Sequence, residues 1–169
     1  MAELTAQERA ALARIELMDD PARLRTLIAN ARAQGSAVVE AAAFDRLCFV
    51  QPEATPGTVE HEVWQAIHAL EEMLGEERGK TVRLTRTRQK IARDGEAKTV
   101  SDLARSAAPA KGFDLLRERD RLDLSFEAVI LRHPKTFDGP ETSAARDRLE
   151  EAGFDIQALI HSSRGDPHG

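Results

Sequence analysis

Tyrosine is absent from this 169-residue chain, cysteine occurs once, and aromatic residues make up only 4% of the total. Because Cys48 has no second cysteine to pair with, no intramolecular disulfide can form, which favours a reducing, cytoplasmic location. No apolar run approaches the roughly 18 residues of a membrane span, and the N-terminal segment lacks the apolar centre of a signal peptide. Trp64 is the only tryptophan and no Phe lies near it in the sequence, so it predicts core packing rather than base stacking.

What is present is typical of one helical domain. The chain is 41% hydrophobic and 31% charged, and it is long enough to bury a core without a metal or disulfide. Alanine, leucine, arginine and glutamate dominate, and these residues favour helix. No strand-type alternation of polar and apolar residues persists anywhere. The sequence therefore predicts an all-α fold, a compact multi-helix bundle.

Helix signals near the N-terminus predict a helical arm over residues 1–50. Thr5 and Glu8 have the spacing of a capping box and open a helix to about Met18. Asp20 and Pro21 suit the N-cap and first position of a second helix, which runs to about residue 34, and a third helix follows over about 36–49. Two prolines and a glycine then predict a linker at 51–57.

A main helical domain is predicted over residues 58–161, followed by a flexible tail at 162–169. Its strongest helix is 58–79, and over residues 58–75 apolar residues recur at spacings of three and four. The apolar stripe on this helix can pack against helices of the same chain or of a second copy, so the sequence also allows a homo-oligomer. The sequence TVSD at 99–102 predicts another helix start, and shorter helices follow to the end of the domain. The stripe consists of Val59, Val63, Ile67, Leu70 and Leu74.

Charge changes sign abruptly in the middle of the chain. Residues 1–77 carry 6 Lys/Arg and 14 Asp/Glu, residues 78–98 carry 8 and 2, and residues 99–169 carry 10 and 13, so the net charge runs from −8 through +6 to −3. The local electrostatic field of such a block determines which charged ligands bind near it. The basic block either binds a polyanion or forms a solvated face that pairs with the acidic first half.

On a continuous helix, Arg83, Arg86, Lys90 and Arg93 fall at i, i+3, i+7 and i+10 and form a basic ridge about 15 Å long. Such a ridge meets several phosphates of a nucleic acid duplex at once and releases their counterions. Hydroxyl and amide groups between the cations are suited to phosphate oxygens or base edges. The predicted phosphate contacts are Arg83, Arg86, Arg88, Lys90, Arg93 and Lys98, and the predicted base contacts are Thr87 and Gln89.

The same segment resembles a helix-turn-helix, because an Ile-Ala pair is followed by a glycine and a second helix start. The register differs from the usual motif: Gly95 comes three residues after Ala92 rather than about four. Asp102 falls where that motif has an apolar contact. The sequence therefore predicts a helix-turn-helix-like central pair within the bundle.

No catalytic, metal or cofactor signature is present, so an enzyme is disfavoured. His61 and His68 are seven residues apart, about 10.5 Å along a helix, which is too far for one metal ion. The leading hypothesis is a nucleic-acid-binding protein, with duplex DNA favoured and a regulatory or accessory role. The alternative is an adaptor or inhibitor that binds another protein through its acidic N-terminal half. A third is a hydrolase in which His61 or His133 meets carboxylates.

Overall fold

The computed structural model describes residues 3–109 and 111–162, and within these ranges the chain forms α-helices and one short 3-10 helix but no β-strand. The all-α prediction is confirmed. The chain divides into two compact units, Met1–Pro56 and Gly57–Gly169. Among the described residues, no helix is both long enough and apolar enough to cross a bilayer. Of the predicted flexible tail, all but Ser162 lies outside the described residues.

The helices of the first unit begin where the sequence predicts. The Thr5 hydroxyl accepts a hydrogen bond from the Glu8 amide, and the Glu8 carboxylate accepts one from the Thr5 amide, which confirms the capping box. Asp20 caps the second helix, and Pro21 occupies its first position, as predicted. The unit consists of α1 (Ala6–Ile15), α2 (Pro21–Ala33) and α3 (Ala37–Val50).

Both α1 and α2 pack against α3. The core between them contains Leu24, Ile28 and Leu47, and Cys48 is fully buried on α3. Ser36 precedes α3, but its hydroxyl donates to Glu8 at 2.8 Å instead of capping its own helix. This bond ties the start of α3 to the first turn of α1.

The second unit is organised around the long helix that the apolar stripe predicts. This helix passes through Gly75 and stops at Gly79, the last residue of the predicted segment, which has a φ of 65°. A left-handed residue is the usual helix terminator, and glycine adopts it without strain. The unit consists of α4 (Val59–Arg78), α5 (Thr85–Asp94), α6 (Glu96–Ala104), α7 (Lys111–Glu118), the 3-10 helix Leu122–Leu124, α8 (Phe126–Arg132), α9 (Pro140–Glu151) and α10 (Gln157–Ser162).

The predicted helix start at residues 99–102 is wrong. Helix α6 begins at Glu96, and Thr99 and Val100 are buried in its interior. The reason is Gly95, whose φ of 88° and ψ of 166° break the helix and change the direction of the chain within one residue. Residues with a Cβ rarely adopt this conformation, so glycine makes the single-residue connection between α5 and α6.

In the core of the second unit, one face of α4 packs against several shorter helices. Val63 and Ile67 on α4 are fully buried and belong to the same cluster as Ile91 of α5, Val100 of α6 and Ile130 of α8. Helix α4 packs against α6, α7 and α8. The prediction that this helix forms the centre of the core is confirmed.

One arginine joins three helices at the edge of this core. Arg148 on α9 donates to the carboxylate of Glu127 on α8 at 2.9 Å and to the carbonyl oxygens of Leu103 and Ser106 at 3.4 and 2.7 Å. Glu127 is itself buried. Removal of one partner from a buried ion pair leaves the other charge without compensation.

We expect Arg148→Ala to lower the free energy of unfolding by about 3 kcal/mol, because Glu127 then stays buried without its cation. Urea denaturation followed by circular dichroism measures the change. Arg146→Ala is the matched control, since Arg146 lies exposed on the same helix, and its effect is expected within about 0.5 kcal/mol. Equal losses of unfolding free energy in both variants would show that the ion pair between Arg148 and Glu127 does not stabilise the fold.

Candidate nucleic-acid interface

The basic helix α5 is anchored by a carboxylate on α4. Glu71 accepts a hydrogen bond from the Leu84 amide at 2.8 Å and two from the Arg88 guanidinium at 2.8 and 2.6 Å. Leu84 has a φ of −80° and a ψ of 70°, which is not helical, so α5 begins at Thr85. Arg83 therefore precedes the helix, and the prediction that it begins a continuous helical ridge is wrong.

Arg88 is turned inward by the same anchor. Its Cζ lies 5.1 Å from the centre of the Trp64 ring, a cation–π contact, and Trp64 Nε1 donates to Glu96 at 3.1 Å. The hydrogen bonds to Glu71 are the main cause that raises the pKa of Arg88. Arg88 therefore packs against α4 in this structure instead of extending into solvent.

The outward face of α5 carries a short row of polar and basic side chains, which we call the α5 crest: Arg86, Gln89 and Arg93. With about 3.6 residues per turn, Gln89 lies opposite the buried Ile91, and the two arginines fall close to its line along the helix. All three side chains are exposed. Arg86 has no ion pair within the described part of the chain, and Arg93 is 69% exposed although its Nε lies 3.3 Å from Asp94.

Two further predicted residues, Lys90 and Lys98, converge on one carboxylate of α6. Asp102 accepts from Lys90 at 2.9 Å, from Lys98 at 3.1 Å and from Arg105 at 2.7 Å. These four residues form what we call the Asp102 cluster. The bonds from Lys90, Lys98 and Arg105 hold the pKa of Asp102 far below its usual range, so this carboxylate is ionised. Lys90 also donates to Asp94 at 2.9 Å.

The structure thus separates the predicted site residues into groups. The α5 crest is exposed, Lys90 and Lys98 are paired in the Asp102 cluster, and Arg88 faces Trp64. Thr87, a predicted base contact, is half-buried and lies four residues before the buried Ile91, on the inner face of α5 rather than on the crest. Arg105 was missed by the sequence argument, although its spacing of three residues from Asp102 on a helix is a recognisable pairing signal.

Histidine and carboxylate residues do meet elsewhere, at the end of α8. His133 Nε2 contacts the Glu62 carboxylate, and Arg132 Nε donates to the same carboxylate at 2.6 Å. In the described ranges, no group of three or more His, Cys, Asp or Glu side chains is placed to hold a metal ion. The contact joins α4 to the end of α8, and the Glu62 carboxylate is also hydrogen-bonded to Arg132.

In comparisons with known proteins, no protein-family model, no curated protein and no solved structure matches this chain. Its function is therefore inferred from the geometry of the α5 crest and the residues around it.

The anchor at Glu71 predicts a pH-dependent stability. Burial disfavours the ionised form of Glu71, but the hydrogen bonds from Arg88 and Leu84 outweigh burial and lower its pKa. A carboxyl group with a lowered folded-state pKa stabilises the fold fully above its unfolded pKa of about 4.3. This stabilisation is lost as the pH falls through the folded-state pKa.

We expect Glu71→Gln to lower the free energy of unfolding by about 2 kcal/mol at neutral pH, because the neutral amide loses charged hydrogen bonds. The difference from wild type narrows in acid, where Glu71 itself becomes neutral. Denaturation followed by Trp64 fluorescence at several pH values measures both effects. Glu60→Gln, on the exposed side of α4, is the control. A difference independent of pH would exclude ionised Glu71 as its cause.

Proposed function

We propose that this protein is a small helical nucleic-acid-binding protein with a regulatory or accessory role, which docks the α5 crest on the phosphate backbone of duplex DNA. The observation that carries this proposal is the crest itself. Arg86 and Arg93 are seven residues apart, about 10.5 Å along the helix axis, and Gln89 lies between them. Both arginines extend into solvent, where they can exchange counterions for phosphates.

The dimensions of the crest suit a duplex. The major groove of B-DNA is about 12 Å wide and admits an α-helix. Duplex DNA carries about one phosphate per 1.7 Å of its axis, counting both strands, so two arginines about 10.5 Å apart along α5 each have phosphates within reach. Gln89, at the outermost position of the helix, then faces base edges, and a glutamine amide pairs with adenine through two hydrogen bonds. Arg83, just before α5, is also exposed and adds to the local positive field.

The surroundings of Trp64 favour a duplex over a single strand. Arg88 lies over its ring and Glu96 accepts from its indole nitrogen, so the ring is not free to stack on a base. Arg88 has a positioning role in this proposal: it fixes which face of α5 is presented, and the crest makes the contacts.

We expect Arg86→Glu combined with Arg93→Glu to abolish binding to a generic DNA duplex, because two cationic contacts become repulsive. Fluorescence anisotropy at two salt concentrations measures the affinity, and for the wild type the logarithm of the binding constant falls with the logarithm of salt by about 0.9 per phosphate contact. An RNA hairpin measured in parallel distinguishes the two nucleic acids.

The matched control is Arg23→Glu combined with Arg146→Glu, which makes the same change of net charge at exposed positions on α2 and α9. This control is expected to bind like wild type. Absence of wild-type binding at low salt would contradict the proposed function. An equal loss of affinity in both double variants would show that net charge, and not the α5 crest, causes the effect.

A second candidate function, an adaptor that binds another protein, is favoured by a groove in the first unit. The groove lies between α1 and α2, has a volume of about 960 Å³, and includes Ala10, Ala11, Leu27 and Ala31 in its walls. Small side chains along two helices allow the close approach of a third, and a helix in a groove is a common mode of protein recognition. The groove belongs to the N-terminal half of the chain, which the sequence predicts as the docking surface for a partner.

Under this alternative, Ala10→Arg combined with Asn30→Arg blocks a protein partner by filling the groove, whereas Arg86→Glu with Arg93→Glu leaves that partner bound. Cross-linking followed by mass spectrometry of the two variants beside wild type measures the difference. Both substituted residues of the groove variant are exposed, so its helicity is expected to match wild type. A partner retained by the groove variant would contradict this candidate.

A further inference from the structure

We propose that the Asp102 cluster is a second phosphate site, in which a backbone phosphodiester replaces Asp102 as the acceptor for Lys98 and Arg105. This inference rests on the proposed function, because the same nucleic acid that docks on the α5 crest supplies the phosphate. It assigns Arg105 as a contact residue and gives Asp102 the role of an internal competitor for the ligand.

The charge balance of the cluster supports an anion site. Three cationic groups lie within 3.1 Å of the carboxylate of Asp102, which carries a single negative charge. Asp94 compensates Lys90 at 2.9 Å, and after both carboxylates are counted an excess of one positive charge is left among these residues. That excess grows when Arg93, which lies beside Asp94 on the crest, is included.

The head groups are accessible to a ligand. The side chain of Lys98 is 61% exposed and that of Arg105 is 48% exposed, whereas Asp102 is 24% exposed beneath them. Ion pairs between exposed groups are worth about 0–1 kcal/mol, so a new anion exchanges with such a pair at little cost. Arginine and lysine then keep an anionic partner, because a phosphodiester also carries one negative charge and accepts through two oxygens.

The cluster is next to the α5 crest. Lys90 lies four residues after Arg86 and three residues before Arg93, so it borders the crest on α5 and reaches across to Asp102 on α6. A backbone that contacts Arg86 and Arg93 therefore passes beside Lys98 and Arg105. The fixed carboxylate of Asp102 repels that backbone and lowers the affinity of the wild-type protein.

The test compares Asp102→Asn, Arg105→Gln and the double variant by fluorescence anisotropy with a DNA duplex over a series of salt concentrations. We expect Asp102→Asn to bind about fivefold more tightly than wild type near 50 mM salt, with a steeper salt dependence, because a competing charge is removed. Arg105→Gln binds more weakly, and its slope is shallower by about 0.9, the value of one phosphate contact. The double variant returns towards wild type.

Asp114→Asn is the control, because it removes the same charge from an exposed position on α7. It is expected to leave both the affinity and the slope unchanged. Circular dichroism melting shows that each variant is folded, and Arg105→Gln provides the test if Asp102→Asn proves unstable.

The outcomes separate the two proposals. Wild-type binding that is unchanged by Arg105→Gln, or weakened by Asp102→Asn in a folded protein, overturns the phosphate site and leaves the α5 crest in place. A gain in Asp114→Asn equal to that in Asp102→Asn overturns it also, because net charge alone would then account for the effect. No binding by wild type or by Asp102→Asn at low salt contradicts the proposed function itself.

Discussion

The hydrogen bonds accepted by the Glu71 carboxylate determine which face of α5 is exposed to solvent. The carboxylate lies buried on α4, where an ionised group needs strong partners, and it finds them in the Leu84 amide and the two-pronged Arg88 guanidinium. These bonds fix both the first residue of α5 and the rotation of the helix about its axis. With Arg88 held inward beside Ile91, the opposite face, centred on Gln89, must point to solvent.

Internal pairing and external binding are not exclusive in this basic segment. Glu71, Asp94 and Asp102 neutralise cations that lie on the inner side and flank of α5, whereas the crest retains its positive charge. A count of charges along the sequence cannot make this division, because residues of equal charge lie on different sides of one helix. The proposed binding surface is therefore smaller than the basic block, and its cations lie on one side.

Much of the fold could be predicted because its signals are local. The capping box of Thr5 and Glu8 depends on residues three apart, and the core face of α4 follows from a regular apolar spacing. The start of α5 could not be predicted, because Leu84 is bonded to a residue thirteen positions earlier on another helix. The capping pattern at Thr99 gave a wrong helix start, because the helix break at Gly95 lets α6 begin three residues earlier, at Glu96. The outward position of Gln89 could not be predicted either, because it depends on the bonds from Leu84 and Arg88 to Glu71, which set the start and the rotation of α5.

Gly95 fixes the spacing between α5 and α6. Because α5 and α6 are separated by this residue alone, there is no loop in which their spacing can vary, and Lys90 links the two helices across the corner through Asp102. The backbone segments that carry the α5 crest, Lys98 and Arg105 are consequently held in one arrangement, so in the proposed function little backbone conformational entropy is lost when an extended polyanion contacts both. A flexible lysine-rich segment of the same charge would have to lose that entropy on binding, so in the proposed function the geometry of this corner contributes to affinity beyond its net charge.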